Sequence, residues 1–266
     1  MYSKLNEFKK TKDHLVAIDS DGCVFDTMTL KHQQFFYPLL EEELELQEWG
    51  EELGKKWNCI NLYSSMRGIN RFESVYHLFK DVNDKVLPMS DKTKIYNKFI
   101  RTNRTINVED LEVLYKETGD DFVGHIIDWS KKVNKEIESK MQRIDAFKES
   151  VVTIREIAKF ADIAVVSSAN EQALIDEWGS AELLDYVSVL TSQSDGKKEA
   201  ILEKLIAKGY NEKRVLMIGD SLGDRHAATV NEASFRLIEA PYEEKSWKNI
   251  RREMENGGLF NYELKI

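Results

Sequence analysis

The chain has 266 residues and a mass of 30.9 kDa, with 38 Lys+Arg against 47 Asp+Glu and a formal net charge of −9. At 42% hydrophobic and 32% charged residues, with 3 Pro and 13 Gly, the composition is globular, able to bury roughly 70–75% of its extended surface, and it excludes disordered, collagen-like and solenoid chains. The acidic balance removes a general electrostatic drive toward nucleic acid or an anionic membrane, and Cys23 and Cys59, 36 residues apart, provide neither a disulfide framework nor a zinc site.

In chain order, HLVAI at 14–18 predicts the first strand. Residues 27–144 then read as helical throughout: 29–48 with Pro38 interrupting it, 51–64, 71–82, 91–102, 107–117 and 120–140. Asn107 with Asp110, and Ser90 with Asp91, predict helix starts, and Gly119 a helix stop. Residues 41–52 hold seven Glu and no base, which reads as a solvated helix face. Beyond them, Val151, Ile154, Ile157 and Ala158 form a helical stripe before DIAVV at 162–166, and Leu174, Ile175 and Trp178 form another after it. YVSVL (186–190), RVLMI (214–218) and SFRLI (234–238) predict three further strands, with Ile201, Leu202, Leu205 and Ile206 on a helix before the fourth.

These apolar runs are continuous rather than alternating, as in parallel strands buried on both faces. The expected class is therefore α/β: a doubly wound, Rossmann-like parallel sheet core formed by residues 1–26 and 145–266. An all-α cap domain, residues 27–144, is inserted after the first strand and is expected to stand over one end of the sheet. No apolar run is long enough to span a bilayer; LVAI (15–18) and IAVV (163–166) are the most apolar windows. The expectation is a cytoplasmic protein with no nucleic-acid and no membrane partner.

In open α/β sheets, ligands collect at the carboxyl ends of the strands. The first strand runs into Asp19-Ser20-Asp21-Gly22, which puts two carboxylates about 6–7 Å apart on one side of an extended chain. The second ends in Ser167-Ser168-Ala169-Asn170, Asp195-Gly196-Lys197-Lys198 precedes the fourth, and Gly219-Asp220-Ser221-Leu222-Gly223-Asp224 follows it. One Asp after one strand is an ordinary turn residue. Acidic strand ends that converge with a hydroxyl and a lysine instead describe a hard-cation site facing an anionic group. Oxygen donors without His or Cys suit Mg²⁺, and the lysine and loop amides suit phosphate. At 100° per residue Lys198 falls on the apolar stripe of its helix, whereas Lys197 lies about 110° from the stripe's centre. Lys198 is therefore assigned to the anion and Lys197 to solvent.

Together these segments resemble the haloacid dehalogenase superfamily of aspartate-nucleophile hydrolases. That family's first motif is DxDGxxxD[TS], and residues 19–27 read Asp-Ser-Asp-Gly-Cys-Val-Phe-Asp-Thr. The resemblance covers residues 12–26 and roughly 145–240; the cap matches only by its location, and the 26 residues between Asn170 and Lys197 leave little room for a cap there. It implies Asp19 as nucleophile, Asp21 as acid and base, and Ser167 and Lys198 as contacts to the transferred phosphoryl group. It also implies Mg²⁺ held by Asp19, the Asp21 backbone carbonyl and Asp220, with Asp224 either ligating or orienting. Ser168 and Asn170 are expected beside the substrate. Arg67 and Arg71, around the break at Gly68, are either reaching for an anionic substrate or capping helices.

The expected activity is a Mg²⁺-dependent phosphatase acting on a small phosphorylated metabolite, with no oligomeric state implied. A phosphomutase needs cap groups that no motif identifies, and a phosphonate hydrolase needs a cap lysine that does not stand out. A dehalogenase is disfavoured because those relatives replace the second acid of the first motif, here Asp21. A catalytically silent binding module would be signalled by loss of Asp19, Asp21 or Asp220, and all three are present. His14, His32, His77, His125 and His226 show no metal-ligand spacing, although His226 follows the last acidic motif closely. Cys23 reads as a small apolar filler, and Trp247, Phe260 and Tyr262 as packing aromatics.

Overall fold

β1 (His14–Ile18) leaves the core through α1 (Thr27–Lys31), and the chain returns to the sheet more than a hundred residues later. A computed structural model describes residues 2–84, 87–103, 106–140 and 144–260. Tyr262 lies outside the described residues. Two compact units emerge, Met1–Met28 with Arg143–Ile266, and Thr29–Gln142.

The Thr29–Gln142 unit is helical: α2 (Tyr37–Glu43), α3 (Gly50–Asn58), α4 (Arg71–Phe79), α5 (Lys94–Thr102), α6 (Val108–Thr118) and α7 (Asp121–Lys140). Pro38 does not interrupt the first helical stretch in the expected way. His32–Phe36 wind as a π-helical turn, and Pro38 falls in the first turn of α2, where a missing N–H is tolerated. Asn107 and Asp110 form a reciprocal capping box on α6, and Gly119 closes that helix with φ 62°. Ser90 and Asp91 start no helix: Ser90 is engaged by Asp84, and α5 begins at Lys94. The core gathers Leu40, Trp57, Val75, Leu78, Tyr96, Leu111, Ile126 and Trp129. Trp57 and Trp129 meet edge to face at 6.1 Å. Their indole N–H groups donate to His32 Nδ1 (3.0 Å) and the Phe36 carbonyl (2.9 Å).

The other unit continues with α8 (Lys148–Ile157), β2 (Ala161–Val166), α9 (Glu171–Ser180), β3 (Val189–Thr191), α10 (Lys198–Ile206), β4 (Val215–Gly219), α11 (Leu222–Val230), β5 (Ser234–Leu237) and α12 (Glu243–Glu255). All strands are parallel, in the order β3-β2-β1-β4-β5. β3 is shorter than YVSVL suggests because Leu184–Tyr186 make a tight helical turn before the strand. Alternation along β1 sends Val16 and Ile18 to the face covered by α8, α9 and α12, and Leu15 and Ala17 to the face covered by α10 and α11. This doubly wound sheet is a Rossmann-like α/β fold. Each large aliphatic side chain buried in it contributes roughly 1.5–3 kcal/mol. Among the described residues, no helix is long and apolar enough to cross a membrane.

The segment before β1 is tied to the sheet by Asp162, which is fully buried in β2. Its carboxylate accepts from the amides of Thr11 and Lys12 (2.9 Å each), the Thr11 hydroxyl and the Tyr210 hydroxyl (2.5 Å). Burial pushes this carboxyl up, but the donors from Thr11, Tyr210 and Lys12 outweigh it and hold it below the ordinary carboxylate value. Asp162→Asn should destabilise the protein by about 2–3 kcal/mol at pH 7. Because the native carboxyl is the stronger acid, its contribution is complete above the unfolded value of about 3.9 and disappears as pH falls below it. Urea denaturation at pH 7 and at pH 3 should show the difference between native protein and variant shrinking in acid.

Candidate active site

Four backbone segments at the carboxyl edge of the sheet supply the polar side chains. Asp19 follows β1, and its amide donates to the Ile218 carbonyl of β4 at 2.9 Å, which locks the two strand ends together. Asp220 follows β4 directly. Asp224 sits one turn into α11, where it forms a capping box with Ser221; its Oδ2 accepts from the Ser221 amide (3.1 Å) and hydroxyl (2.6 Å). Carboxylate oxygens of Asp19, Asp220 and Asp224 lie within 4.8 Å of one another, and all three residues are buried.

Lys198, the first residue of α10, reaches this trio. Its ammonium lies 2.9 Å from Asp19 Oδ1 and 2.7 Å from Asp224 Oδ1. Burial pulls the lysine down, but Asp19 and Asp224 more than offset it, so the ammonium is held. Burial pushes the Asp19 carboxyl well above the ordinary range; Lys198 opposes that shift, and Asp224 and Asp220 add to it. Lys197 is exposed, as the helical phase anticipates. Three buried carboxylates against one ammonium, all hard oxygen donors, fit a divalent cation such as Mg²⁺.

The Asp21 carboxylate lies outside the trio and accepts from the buried Thr27 hydroxyl at 2.5 Å. Ser167, buried at the end of β2, accepts from the Ala169 amide at 3.1 Å. Ser168 is exposed, and exposed Asn170 caps α9 by accepting from the Gln172 amide at 2.9 Å. In the helical unit, Arg67 is buried and donates to the Leu62 carbonyl at 3.1 Å, while Arg71 donates to Ser130 and Asn134. His226 is exposed on α11.

Three contributors escaped the sequence reading. Thr27 closes the first motif but had no role there. Trp178, read as an apolar helix residue, donates its indole N–H to Ser20 Oγ at 3.0 Å. Trp247, read as a packing aromatic, donates to the Cys23 carbonyl at 2.8 Å. Both rings are fully buried, so they pin the loop that carries Asp21 from beneath. Fully buried Cys23 fills space there, its thiol pushed up first by burial and then by Asp19 and Asp220.

A family model for haloacid dehalogenase-like hydrolases matches residues 69–237, more than half of the chain, and the protein belongs to that family. No curated protein matches the sequence. Solved structures similar to it include a haloacid dehalogenase-like hydrolase from Streptococcus pneumoniae (11% identity, 88% of this chain and 90% of that one, TM-score 0.48). Another is a superfamily hydrolase from Ehrlichia chaffeensis (13% identity, 93% and 98%, TM-score 0.45). A third is the defluorinating L-2-haloacid dehalogenase Rha0230 (15% identity, 86% and 82%, TM-score 0.41).

Gly219 marks a close approach. A Cβ built there would stand 2.3 Å from Asp224 Cγ and 2.5 Å from its Cβ, and the capping box leaves that side chain nowhere to go. Gly219→Ala should destabilise the protein by about 2–3 kcal/mol and lower hydrolytic turnover by displacing Asp224, read as a lower Tm together with a lower kcat.

Proposed function

We propose that the protein is a Mg²⁺-dependent phosphatase that hydrolyses a small phosphorylated metabolite through an aspartyl-phosphate. The observation that carries this reading is the buried trio of Asp19, Asp220 and Asp224 around Lys198, with a second carboxylate, Asp21, two residues from the nucleophile and held by Thr27.

In this reading an Asp19 oxygen attacks phosphorus, and the P–O bond to the leaving alcohol breaks as Asp21 delivers its proton to that oxygen. Asp21, now ionised, takes a proton from water, whose oxygen attacks the phosphorus of the aspartyl-phosphate. Inorganic phosphate leaves and Asp19 is regenerated as carboxylate. Lys198 meets charge on the phosphoryl oxygens, and Ser167 donates a hydrogen bond to them. Ser168 and Asn170 border the same phosphate-binding loop. Asp19, Asp220 and the Asp21 carbonyl would hold the Mg²⁺. Asp224, its oxygens engaged by Lys198 and Ser221, would orient the set. When bound, the cation supplies charge neutralisation to the phosphoryl oxygens.

The discriminating feature against dehalogenation is Asp21, because displacement of halide from carbon requires no proton for the leaving group. Phosphate release from an aryl phosphate should need Mg²⁺, be abolished by Asp19→Asn, and fall about 10²–10⁴-fold in Asp21→Asn. Turnover that survives Asp19→Asn, or that EDTA leaves untouched, overturns the reading. A metal-dependent phosphoryl analogue should also be trapped on Asp19.

A further inference from the structure

Arg71 of the helical unit is a charge with no complement among the described residues. Among the described residues only its Nη1 finds partners: Asn134 Oδ1 (2.7 Å), Ser130 Oγ (3.2 Å) and the Ser130 carbonyl (3.5 Å). All three partners are neutral, and among the described residues no carboxylate lies within 4.0 Å of the guanidinium. One face of the group rests on the Phe36 ring, with Cζ 4.8 Å from the ring centroid, so the guanidinium has a fixed plane. Nε and Nη2 make no hydrogen bond to the described residues, yet they are not sealed from solvent. Arg71 thus has one edge anchored and the other edge, the Nε–Nη2 fork, presented outward.

The surroundings reinforce the imbalance. His32 stacks on the same Phe36 ring at 4.7 Å and accepts from the Trp57 indole through Nδ1. Burial first, then Arg67, Lys31 and Arg71, push this imidazole down to about 3. Burial likewise lowers Arg71 to about 10, with no anion opposing. A positive field inside an apolar helical core is costly unless an anion completes it. The open edge of a planar guanidinium matches two oxygens of a carboxylate or phosphate, in the bidentate geometry that favours arginine over lysine.

We propose that Arg71 is the anchor of an oxyanion-binding site within the helical unit, which takes the carboxylate or phosphate group of a small metabolite on its Nε–Nη2 edge. The site rests on the helical unit alone and does not depend on the phosphatase reading.

The test is calorimetric titration of the full-length protein with malonate and, separately, with inorganic phosphate. Native protein, Arg71→Met, Arg71→Lys and Lys198→Met are compared, with Tm recorded for each. Saturable binding of at least one anion is expected, weakened about tenfold or more in Arg71→Met by loss of the charge-assisted fork. Arg71→Lys, which keeps the charge but not the fork, should fall between, and it carries the test should Arg71→Met fold poorly. Lys198→Met should leave malonate binding within about twofold, since that lysine belongs to the other unit; its loss of aryl phosphate turnover tests the phosphatase reading separately. Malonate binding without phosphate binding would identify the ligand group as a carboxylate, and the reverse as a phosphate. No saturable binding of either anion up to about 20 mM, or binding undiminished in Arg71→Met, overturns the proposal.

Discussion

Three carboxylates, Asp19 and Asp220 at the ends of two adjacent strands and Asp224 in the first turn of α11, are the constraint around which the sheet unit is built. At an effective dielectric of about 20, two like charges about 4 Å apart repel by roughly 4 kcal/mol. Three such pairs in a buried cluster would consume most of the roughly 5–15 kcal/mol by which a domain is stable. Lys198 is the fold's own answer: its ammonium touches Asp19 and Asp224 together, and α10 starts at that residue, so the side chain has little freedom to leave. One ammonium cannot balance three carboxylates: burial first, and then Asp224 and Asp220, raise the Asp19 carboxyl against the opposing pull of Lys198, and negative charge is left over. That residual is the electrostatic argument for a divalent cation, and it arises from the same residues that would bind phosphate.

The cluster is held from below by groups that do no chemistry. Trp178 and Trp247 come from α9 and α12 on one face of the sheet, and each spends its single N–H on the loop between Asp19 and Phe25. On the other side of the trio, Ser221 fixes Asp224, and the absence of a side chain at Gly219 allows that carboxylate to lie against β4. Side chains locked by packing and hydrogen bonds on strands and helices hold catalytic geometry better than loops do. Burial of the strands and placement of the site are therefore one problem: the residues that make the sheet insoluble as separate strands also set where its polar ends converge.

What could be seen in the sequence follows the same division. β1, β2 and β4 were legible because strands buried on both faces are written as uninterrupted apolar runs, and their polar ends stood out against them. Lys198 was separable from Lys197 because a helix has a phase. The capping box of Asn107 and the stop at Gly119 were legible because their partners are local. Ser90 and Asp91 misled for the complementary reason: a cap-like pair was claimed by Asp84, and local chemistry does not say which acceptor wins. The Trp178 to Ser20 bond spans 158 residues, and Thr11 meets Asp162 across 151. No pattern of spacing in one chain encodes such partners. The π-helical turn ahead of Pro38 was hidden because proline was read as a break when the backbone had a way to place it in a first turn.

The two units leave opposite electrostatic problems open. In the sheet unit, buried carboxylates outnumber the cation that joins them. In the helical unit, Arg71 meets no carboxylate among the described residues, and after burial it is Arg67, Lys31 and Arg71 that push the His32 imidazole down. Neither imbalance stabilises the unit that contains it, since a desolvated charge without its complement is unfavourable. Replacing Arg71 by an apolar residue would remove that cost from the helical unit, much as a second positive partner beside Lys198 would relieve the trio. In the two readings proposed above, binding recovers that loss, and each unit's deficit sets the sign of its proposed ligand: a cation at the strand ends, an oxyanion at the guanidinium edge. The proposed class of ligand for the helical unit therefore follows from a missing partner rather than from a pocket, and its shape from the two donors of Arg71 that no described residue engages.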